Sequence, residues 1–138
     1  MDINIDKYIK DCFFSQNEYV GTIIEVGGGH PVHLSMSKLF KEIGWEVLII
    51  EPNPELVKLH KDVGNKVFDV VCLDFDNDEV EFTIVKKNNS SLSCSSVKPK
   101  ESYLKVAGYD IDKDVEYQTI KVKQITLDTL IKENNIKK

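Results

Sequence analysis

The sequence predicts an α/β fold with a doubly wound sheet, and three observations support it. A short apolar run at residues 22–26 stops at three consecutive glycines, which indicates a strand followed by a tight loop. A helical pattern follows over residues 34–43. A second apolar run, residues 47–50, then ends in Glu51. The order strand, glycine loop, helix, strand and acid is typical of a nucleotide site.

The glycine loop, residues 27–29, and Glu51 are the first candidate binding residues. Glycines after a buried strand can adopt positive φ angles and lack Cβ, so a ligand can approach their backbone. An acid at the tip of the next strand, roughly 20 residues on, can accept hydrogen bonds from both hydroxyls of a ribose. Pro52 and Pro54 restrict the chain after Glu51 and should fix its carboxylate. The competing interpretation is a flexible turn and a solvated acid.

The residues around the glycines indicate the class of ligand. A dinucleotide fingerprint needs a third glycine, whereas His30 and Pro31 follow here, and proline removes an N–H that could face phosphate. Glu25, at the end of the first strand, would repel a pyrophosphate but favours a cationic ligand. S-adenosylmethionine carries a sulfonium and an ammonium group and no phosphate. The pattern therefore favours this cofactor over NAD.

Several segments in order resemble one known family. Residues 25–31 (E-V-G-G-G-H-P), 34–40 (L-S-M-S-K-L-F) and 44–54 (G-W-E-V-L-I-I-E-P-N-P) resemble the opening of the FkbM-type S-adenosylmethionine-dependent methyltransferases. Residues 69–85 resemble that family's third strand and hairpin, and residues 120–136 resemble its strand and T-L-D helix entry. The resemblance covers nearly all of residues 20–136.

The resemblance implies a Rossmann-like methyltransferase sheet and transfer of the sulfonium methyl group to a hydroxyl of an unidentified small-molecule or glycan-type acceptor. The end of the third strand would hold the adenine, and no catalytic residue is assigned. The implied cofactor-binding residues are Glu25, Gly27, Gly28, Gly29, Glu51, Pro52, Asn53, Cys72 and Asp74.

The resemblance also implies an incomplete sheet. In the family the T-L-D helix is followed by a strand carrying D-x-E-G and by the rest of the sheet, and this sequence ends at Lys138 before them. We therefore expect one domain over residues 1–138, truncated at its C-terminus and without methyl transfer of its own. The apolar run at residues 67–73 should not remain an open sheet edge. It should either self-associate or be covered by the strand at residues 116–125.

The helical patterns predict three amphipathic elements before the third strand. A leader helix within residues 1–18 should pack beside the sheet. The first helix after the glycines should end at Gly44, and a second should run over residues 55–63. The predicted inward residues are Ile5, Tyr8, Ile9, Cys12 and Phe13 in the leader, Leu34, Met36, Leu39, Phe40 and Ile43 in the first helix, and Leu56, Leu59 and Val63 in the second.

The second half of the chain predicts a central parallel strand at residues 67–73 and an acidic turn at residues 74–79. A strand at residues 80–85 should precede a long polar loop, residues 86–115. The alternating residues 116–125 predict another strand. Thr126 should be the N-cap of a last helix, with Asp128 in its first turn.

Composition excludes several classes of protein. The net charge of −5 argues against a nucleic-acid binder, and no stretch is long and apolar enough for a membrane span. Without a signal pattern a cytoplasmic location is expected. Cys12, Cys72 and Cys94 are odd in number, which argues against a disulfide framework.

Three alternatives to a methyltransferase stay open at this point. The chain could be a non-catalytic nucleotide-binding or interaction module on a truncated methyltransferase fold. An NAD-type oxidoreductase domain is disfavoured by Pro31 and Glu25. A zinc site at His30, His33 and His60 lacks the accompanying Cys-x-x-Cys or His-x-x-x-His spacing.

Overall fold

The structure, a computed structural model, describes residues 4–16, 18–91, 95–97, 99–110, 113 and 115–137. Contacts divide the chain into two compact units, Met1–Asp69 and Val70–Lys138. Each unit contains one sheet and its own helices, so the predicted α/β class is confirmed. Within the described ranges, no helix is long and apolar enough to cross a membrane.

The first unit is a parallel sheet with helical connections. Its elements are α1 (Ile5–Phe13), β1 (Thr22–Val26), α2 (Lys38–Glu42), β2 (Glu46–Ile50), α3 (Pro54–Asp62) and β3 (Lys66–Phe68). The strand order is β1-β2-β3, so β2 is central. Leu48, Ile49 and Ile50 of β2 are almost completely buried, as expected for an apolar run within a parallel sheet. The predicted order of strand, loop, helix and strand is confirmed, and β1 and β2 end side by side, with Val26 opposite Ile50.

The helix after the glycines starts later than predicted. Leu34 has a φ of 59° and is fully exposed, so the expected helical start at this residue is wrong. A left-handed residue cannot continue a right-handed helix, which explains the later start at Lys38. Phe40 is the buried residue of α2, whereas Ile43 is 41% exposed, contrary to prediction. The predicted end is confirmed, since Gly44 has a φ of 93°.

Helix α3 presents a different face to the sheet from the one predicted. Its buried residues are Val57 and His60, while Leu59 and Val63 are at least one-third exposed, so these two predicted inward residues are wrong. The imidazole of His60 finds hydrogen-bond partners on both sides, at Gly29 and Asn65, and can therefore be buried.

The leader helix is also less buried than predicted. Every residue of α1 stays at least partly exposed, and Phe13 is 73% exposed. The segment is held instead by the residues that follow it. Phe14 and Tyr19 place their rings 4.8 and 5.5 Å from the ring of Trp45 in edge-to-face geometry. Such aromatic pairs are favourable beyond the area they bury, so Trp45 anchors the leader.

The second unit is a mixed sheet. Its elements are β4 (Val70–Cys72), β5 (Asn77–Lys87), β6 (Ser90–Ser91), α4 (Glu101–Val106), β7 (Glu116–Ile125) and α5 (Leu127–Glu133). The strand order is β4-β7-β5-β6, with β7 parallel to β4 and antiparallel to β5. Phe82, Ile84 and Val85 of β5 are buried, as is Leu130 of α5.

The single central strand predicted at residues 67–73 is wrong. The run is divided at the exposed Asp69 into β3, which pairs with β2, and β4, which pairs with β7. The expectation that residues 116–125 cover this apolar run is confirmed for β4, whose Val70 lies opposite Lys123. Self-association stays a prediction.

The polar stretch at residues 86–115 contains regular structure where a long loop was expected. Strand β5 continues to Lys87, and Asn88 and Asn89 turn the chain into β6 with φ angles of 51° and 62°. Asparagine tolerates this left-handed geometry and favours two-residue hairpins. Helix α4 buries Leu104. Cys94 lies outside the described residues.

The last helix is capped as predicted. The Thr126 side chain accepts a hydrogen bond from the Thr129 N–H at 3.1 Å. Asp76, predicted to lie in a solvated turn, accepts from the Thr126 N–H at 2.7 Å and from the Thr129 hydroxyl at 2.8 Å. These hydrogen bonds lower the pKa of the Asp76 carboxyl. The acidic turn therefore contributes to the start of α5.

Replacing Thr126 by alanine should destabilise the second unit, because one N–H at the start of α5 loses its acceptor. We expect the free energy of unfolding to fall by about 0.5 to 2 kcal/mol. Urea denaturation followed by circular dichroism measures this change. Thr126→Ser keeps the hydroxyl and is the matched control, so equal losses in both variants would contradict the capping role.

Candidate functional site

The candidate site is the glycine loop at the adjacent ends of β1 and β2. The N–H groups of Gly27 and Gly28 both donate to the carbonyl of Ile50, at 2.9 and 3.3 Å. Gly27 and Gly29 have φ angles of 73° and 55°, a conformation that glycine adopts without a steric penalty. The loop therefore turns sharply and stays fastened to the end of β2.

Glu51 holds the loop from the end of β2. Its side chain is buried, and its two oxygens accept from different backbone groups: one from the Gly29 N–H at 3.0 Å and the other from the Asn53 N–H at 2.8 Å. Burial raises the pKa of the Glu51 carboxyl, and the two hydrogen bonds oppose that shift. A carboxylate oxygen can accept more than one hydrogen bond, so both oxygens keep acceptor capacity for a ligand.

Pro52 and Asn53 connect Glu51 to the next helix. Both are buried, and the Asn53 side chain accepts from the Glu55 N–H at 3.1 Å as the N-cap of α3. Pro54 occupies the start of the helix, where proline is well tolerated. The turn after Glu51 is thus fixed by a proline, a cap and a carboxylate together.

Glu25 holds the start of α2. Its two carboxylate oxygens accept from the backbone N–H groups of Met36 and Ser37, at 3.0 and 3.1 Å. The negative charge of Glu25 therefore lies where the partial positive charge of a helix start attracts an anion. This internal contact was not foreseen from the sequence, which indicated only that Glu25 favours a cation.

The three glycines face different surroundings. Among the described residues, no heavy atom lies within 4 Å of the position that a Cβ on Gly27 would take. A Cβ on Gly28 would lie 2.4 Å from the Cγ2 atom of Ile49 and 3.1 Å from the Nε2 atom of His60. Gly27 therefore borders open space, whereas Gly28 is packed against the core.

His60 is the site residue that sequence reasoning missed. It is fully buried on α3, and its Nε2 atom lies 3.0 Å from the Gly29 carbonyl oxygen. The spacing of Val57 and His60 places them on one helical face, but that pattern gives no sign that the imidazole reaches the loop. The sequence indicated His60 only as a possible metal ligand.

The other two histidines belong to the segment after the glycines. The Nδ1 atom of His30 accepts from the N–H groups of Val32 and His33, at 3.1 and 3.2 Å, and the two imidazole rings are 4.5 Å apart. Within the described part of the chain, no group of three or more histidine, cysteine, aspartate or glutamate side chains could hold a metal ion.

The first unit brings together seven of the nine residues that the sequence indicated. Cys72 and Asp74 belong to the second unit. Cys72 lies in β4 and is half-buried, and burial raises the pKa of its thiol. Asp74 follows β4 and is exposed. Their expected contact with adenine stays a prediction.

Comparison with known proteins gives one match. The family model described as "Methyltransferase FkbM domain" matches residues 25–138, which is well over half of the chain. No curated protein and no solved structure matches the chain.

Adding a methyl group at Gly28 should disrupt the packing beneath the loop. Overpacking of this kind costs about 1 to 3 kcal/mol, so Gly28→Ala should lower the free energy of unfolding by that amount in urea denaturation. The clash involves Ile49, so the cost should shrink when Ile49 is alanine as well. A double-mutant cycle measures this coupling. Additive losses would show that Gly28 and Ile49 do not meet.

Proposed function

The chain belongs to the FkbM methyltransferase family, and from this membership we propose that it is an S-adenosylmethionine-dependent O-methyltransferase. The acceptor is a hydroxyl of a small molecule or glycan. The parallel strands β1 to β3 would form the cofactor-binding half of a Rossmann-like, doubly wound arrangement. Family membership supports methyl transfer, and the geometry of the glycine loop supports the choice of cofactor.

The observation that carries the proposal is that the backbone N–H donors of the glycine loop and of the start of α2 already have acceptors within the protein. The N–H groups of Gly27 and Gly28 donate to Ile50, and that of Gly29 donates to Glu51. At the start of α2, two further N–H groups donate to Glu25. A pyrophosphate site needs such donors free, whereas a nucleoside without phosphates does not.

The acceptors at the site fit the same ligand. In the proposal, Glu51 accepts hydrogen bonds from the ribose hydroxyls with its remaining lone pairs, and the open space at Gly27 admits the ligand close to the backbone. The charge of Glu25 favours the cationic end of the cofactor. Asp74 and the chain around Cys72 would meet adenine, as the family resemblance implies.

The reaction itself asks for little covalent chemistry from the protein. S-adenosylmethionine supplies an electrophilic methyl group when bound. The acceptor oxygen gains the methyl carbon as the carbon–sulfur bond breaks, and the hydroxyl proton passes to a base that this proposal leaves unassigned. The contribution of the glycine loop is to hold the donor in one orientation, which accounts for a large part of the rate in reactions between two bound partners.

Calorimetric titration with S-adenosylmethionine, S-adenosylhomocysteine and NAD tests the proposed cofactor. We expect both sulfur nucleosides to bind and NAD not to bind. NAD binding alone would favour an oxidoreductase, and no binding would favour an interaction module. A labelled-methyl transfer assay over a panel of hydroxyl acceptors then tests whether this chain transfers the group by itself.

Removing the charge of Glu51 should weaken the binding of S-adenosylhomocysteine about tenfold or more, because hydrogen bonds to a charged group contribute roughly 1.5 to 3 kcal/mol. Calorimetry on Glu51→Gln measures the change. Glu46→Gln, at the exposed opposite end of β2, is the matched control and should bind normally.

A second ligand separates contact with the ribose from loosening of the loop. An S-adenosylhomocysteine analogue that lacks both ribose hydroxyls should bind wild type and Glu51→Gln with similar affinity. If the variant weakens both ligands equally, Glu51 acts on the loop and does not hold the ribose.

The affinity should also depend on pH through Glu51. Only the ionised carboxylate offers acceptors on both oxygens, so binding should be strongest at neutral pH and fall as the pH drops through the pKa of Glu51. Because burial raises this pKa, the fall should begin at a higher pH than for an ordinary glutamate. Titrations over a pH series measure it, and Glu51→Gln should abolish this dependence. An unchanged profile in that variant would contradict the assignment.

A further inference from the structure

A hydrogen-bonded chain leads from α2 to the glycine loop through His60. The Lys41 ammonium donates to the side-chain oxygen of Asn65 at 2.6 Å and to the Val63 carbonyl at 2.6 Å. The Asn65 side-chain nitrogen lies 3.0 Å from the Nδ1 atom of His60, whose Nε2 atom lies 3.0 Å from the Gly29 carbonyl. All of these groups belong to the first unit.

The direction of every bond follows from the two ends of the chain, the Lys41 ammonium and the Gly29 carbonyl. An ammonium can only donate, so the oxygen of Asn65 must face it, and the amide nitrogen must face His60. That nitrogen donates, so the Nδ1 atom of His60 must accept and carries no proton. The proton of the neutral ring therefore lies on Nε2 and is donated to Gly29. The Gly29 carbonyl can only accept, so it requires the same tautomer, and the partners at both ends of the chain agree on a proton at Nε2.

Both backbone polar groups of Gly29 are held as a result. Its carbonyl accepts from His60 and its N–H donates to Glu51. We propose that His60 is a positioning residue for the glycine loop, kept in its Nε2-protonated neutral form between the Asn65 amide and the Gly29 carbonyl. This assignment rests on the proposed function only in taking the loop as the place where the cofactor binds.

The charged groups around His60 are consistent with a neutral ring. Burial lowers the pKa of His60, and the nearby His30 acts in the same direction, while the Gly29 carbonyl and the charge of Glu25 oppose the shift. Lys41 lies behind Asn65 and also disfavours a second cation. Protonation at Nδ1 would make two N–H donors, that of His60 and that of the Asn65 amide, face each other. The stability contributed by the network is thus present above the ordinary pKa of 6.5 and is lost as the pH falls through the lowered value.

Nitrogen NMR of labelled protein tests the tautomer directly. In wild type at neutral pH we expect the proton of His60 on Nε2. Lys41→Met should leave the proton on Nε2, because the Gly29 carbonyl can still only accept. Lys58→Gln is the control and should match wild type, because Lys58 is on the exposed face of α3, the helix that carries His60. A wild-type ring with its proton on Nδ1 would overturn the proposal.

In the Asn65→Asp variant the side chain next to Nδ1 of His60 becomes an acceptor in place of a donor. The new carboxylate can also pair with Lys41, which favours a folded variant. A carboxylate only accepts, so Nδ1 should acquire a proton and the pKa of His60 should rise. Above that pKa the neutral ring keeps its proton on Nδ1, and the Nε2 lone pair faces the Gly29 carbonyl. The loop then loses its hydrogen bond at high pH, which a residue that only fills space would not cause.

Calorimetry with S-adenosylhomocysteine gives the functional readout. Relative to wild type at the same pH, the affinity of Asn65→Asp should fall about threefold to tenfold as the pH rises from about 6 to about 9, whereas Lys58→Gln should follow wild type. A constant ratio between Asn65→Asp and wild type over this range would overturn the role of His60.

Amide hydrogen exchange at Gly29 tests the positioning role of His60 without relying on cofactor binding. If wild type does not bind S-adenosylhomocysteine at any pH, the proposed function fails, and exchange then decides the role of His60. Faster exchange in Asn65→Asp than in Lys58→Gln at high pH supports the positioning role. Equal exchange in the two variants overturns it.

Discussion

The first unit depends on how the backbone of one residue, Gly29, is held. The N–H of Gly29 donates to the buried Glu51, and its carbonyl accepts from the buried His60. Buried polar groups are costly unless they are paired, so the loop, the end of β2 and the inner face of α3 satisfy one another. Removing either side chain leaves one backbone group of Gly29 without its partner.

The internal hydrogen bonds of the site also limit what it can bind. Two acidic side chains, Glu25 and Glu51, take the N–H groups that phosphate-binding loops leave open. The site keeps carboxylate acceptors and an open approach at Gly27. These internal bonds underlie the proposed preference for a hydroxyl-bearing nucleoside without phosphates.

The parts of the fold that could be predicted from sequence are those with local signals. Strand β7 and the cap at Thr126 were predicted correctly because alternation and capping are read within a few residues. The role of His60 could not be predicted, because its partner Gly29 is distant in sequence. The break at Asp69 is decided by the pairing of β3 and β4 with different strands, which a local pattern does not contain. At the candidate site, the sequence indicated the residues of the loop and the acid after β2, but not how their hydrogen bonds connect.

The pairing of β4 with β7 has a consequence for the order of folding. Val70 pairs with Lys123, so the second sheet can form only after most of that unit has been synthesised. The strands of the first sheet, in contrast, pair with their neighbours along the chain. Contacts between distant residues cost more loop entropy and slow folding. On the ribosome the glycine loop and the side chains of Glu51 and His60 that hold it can therefore assemble while β7 is still being synthesised, and the apolar β4 stays unpaired for that interval.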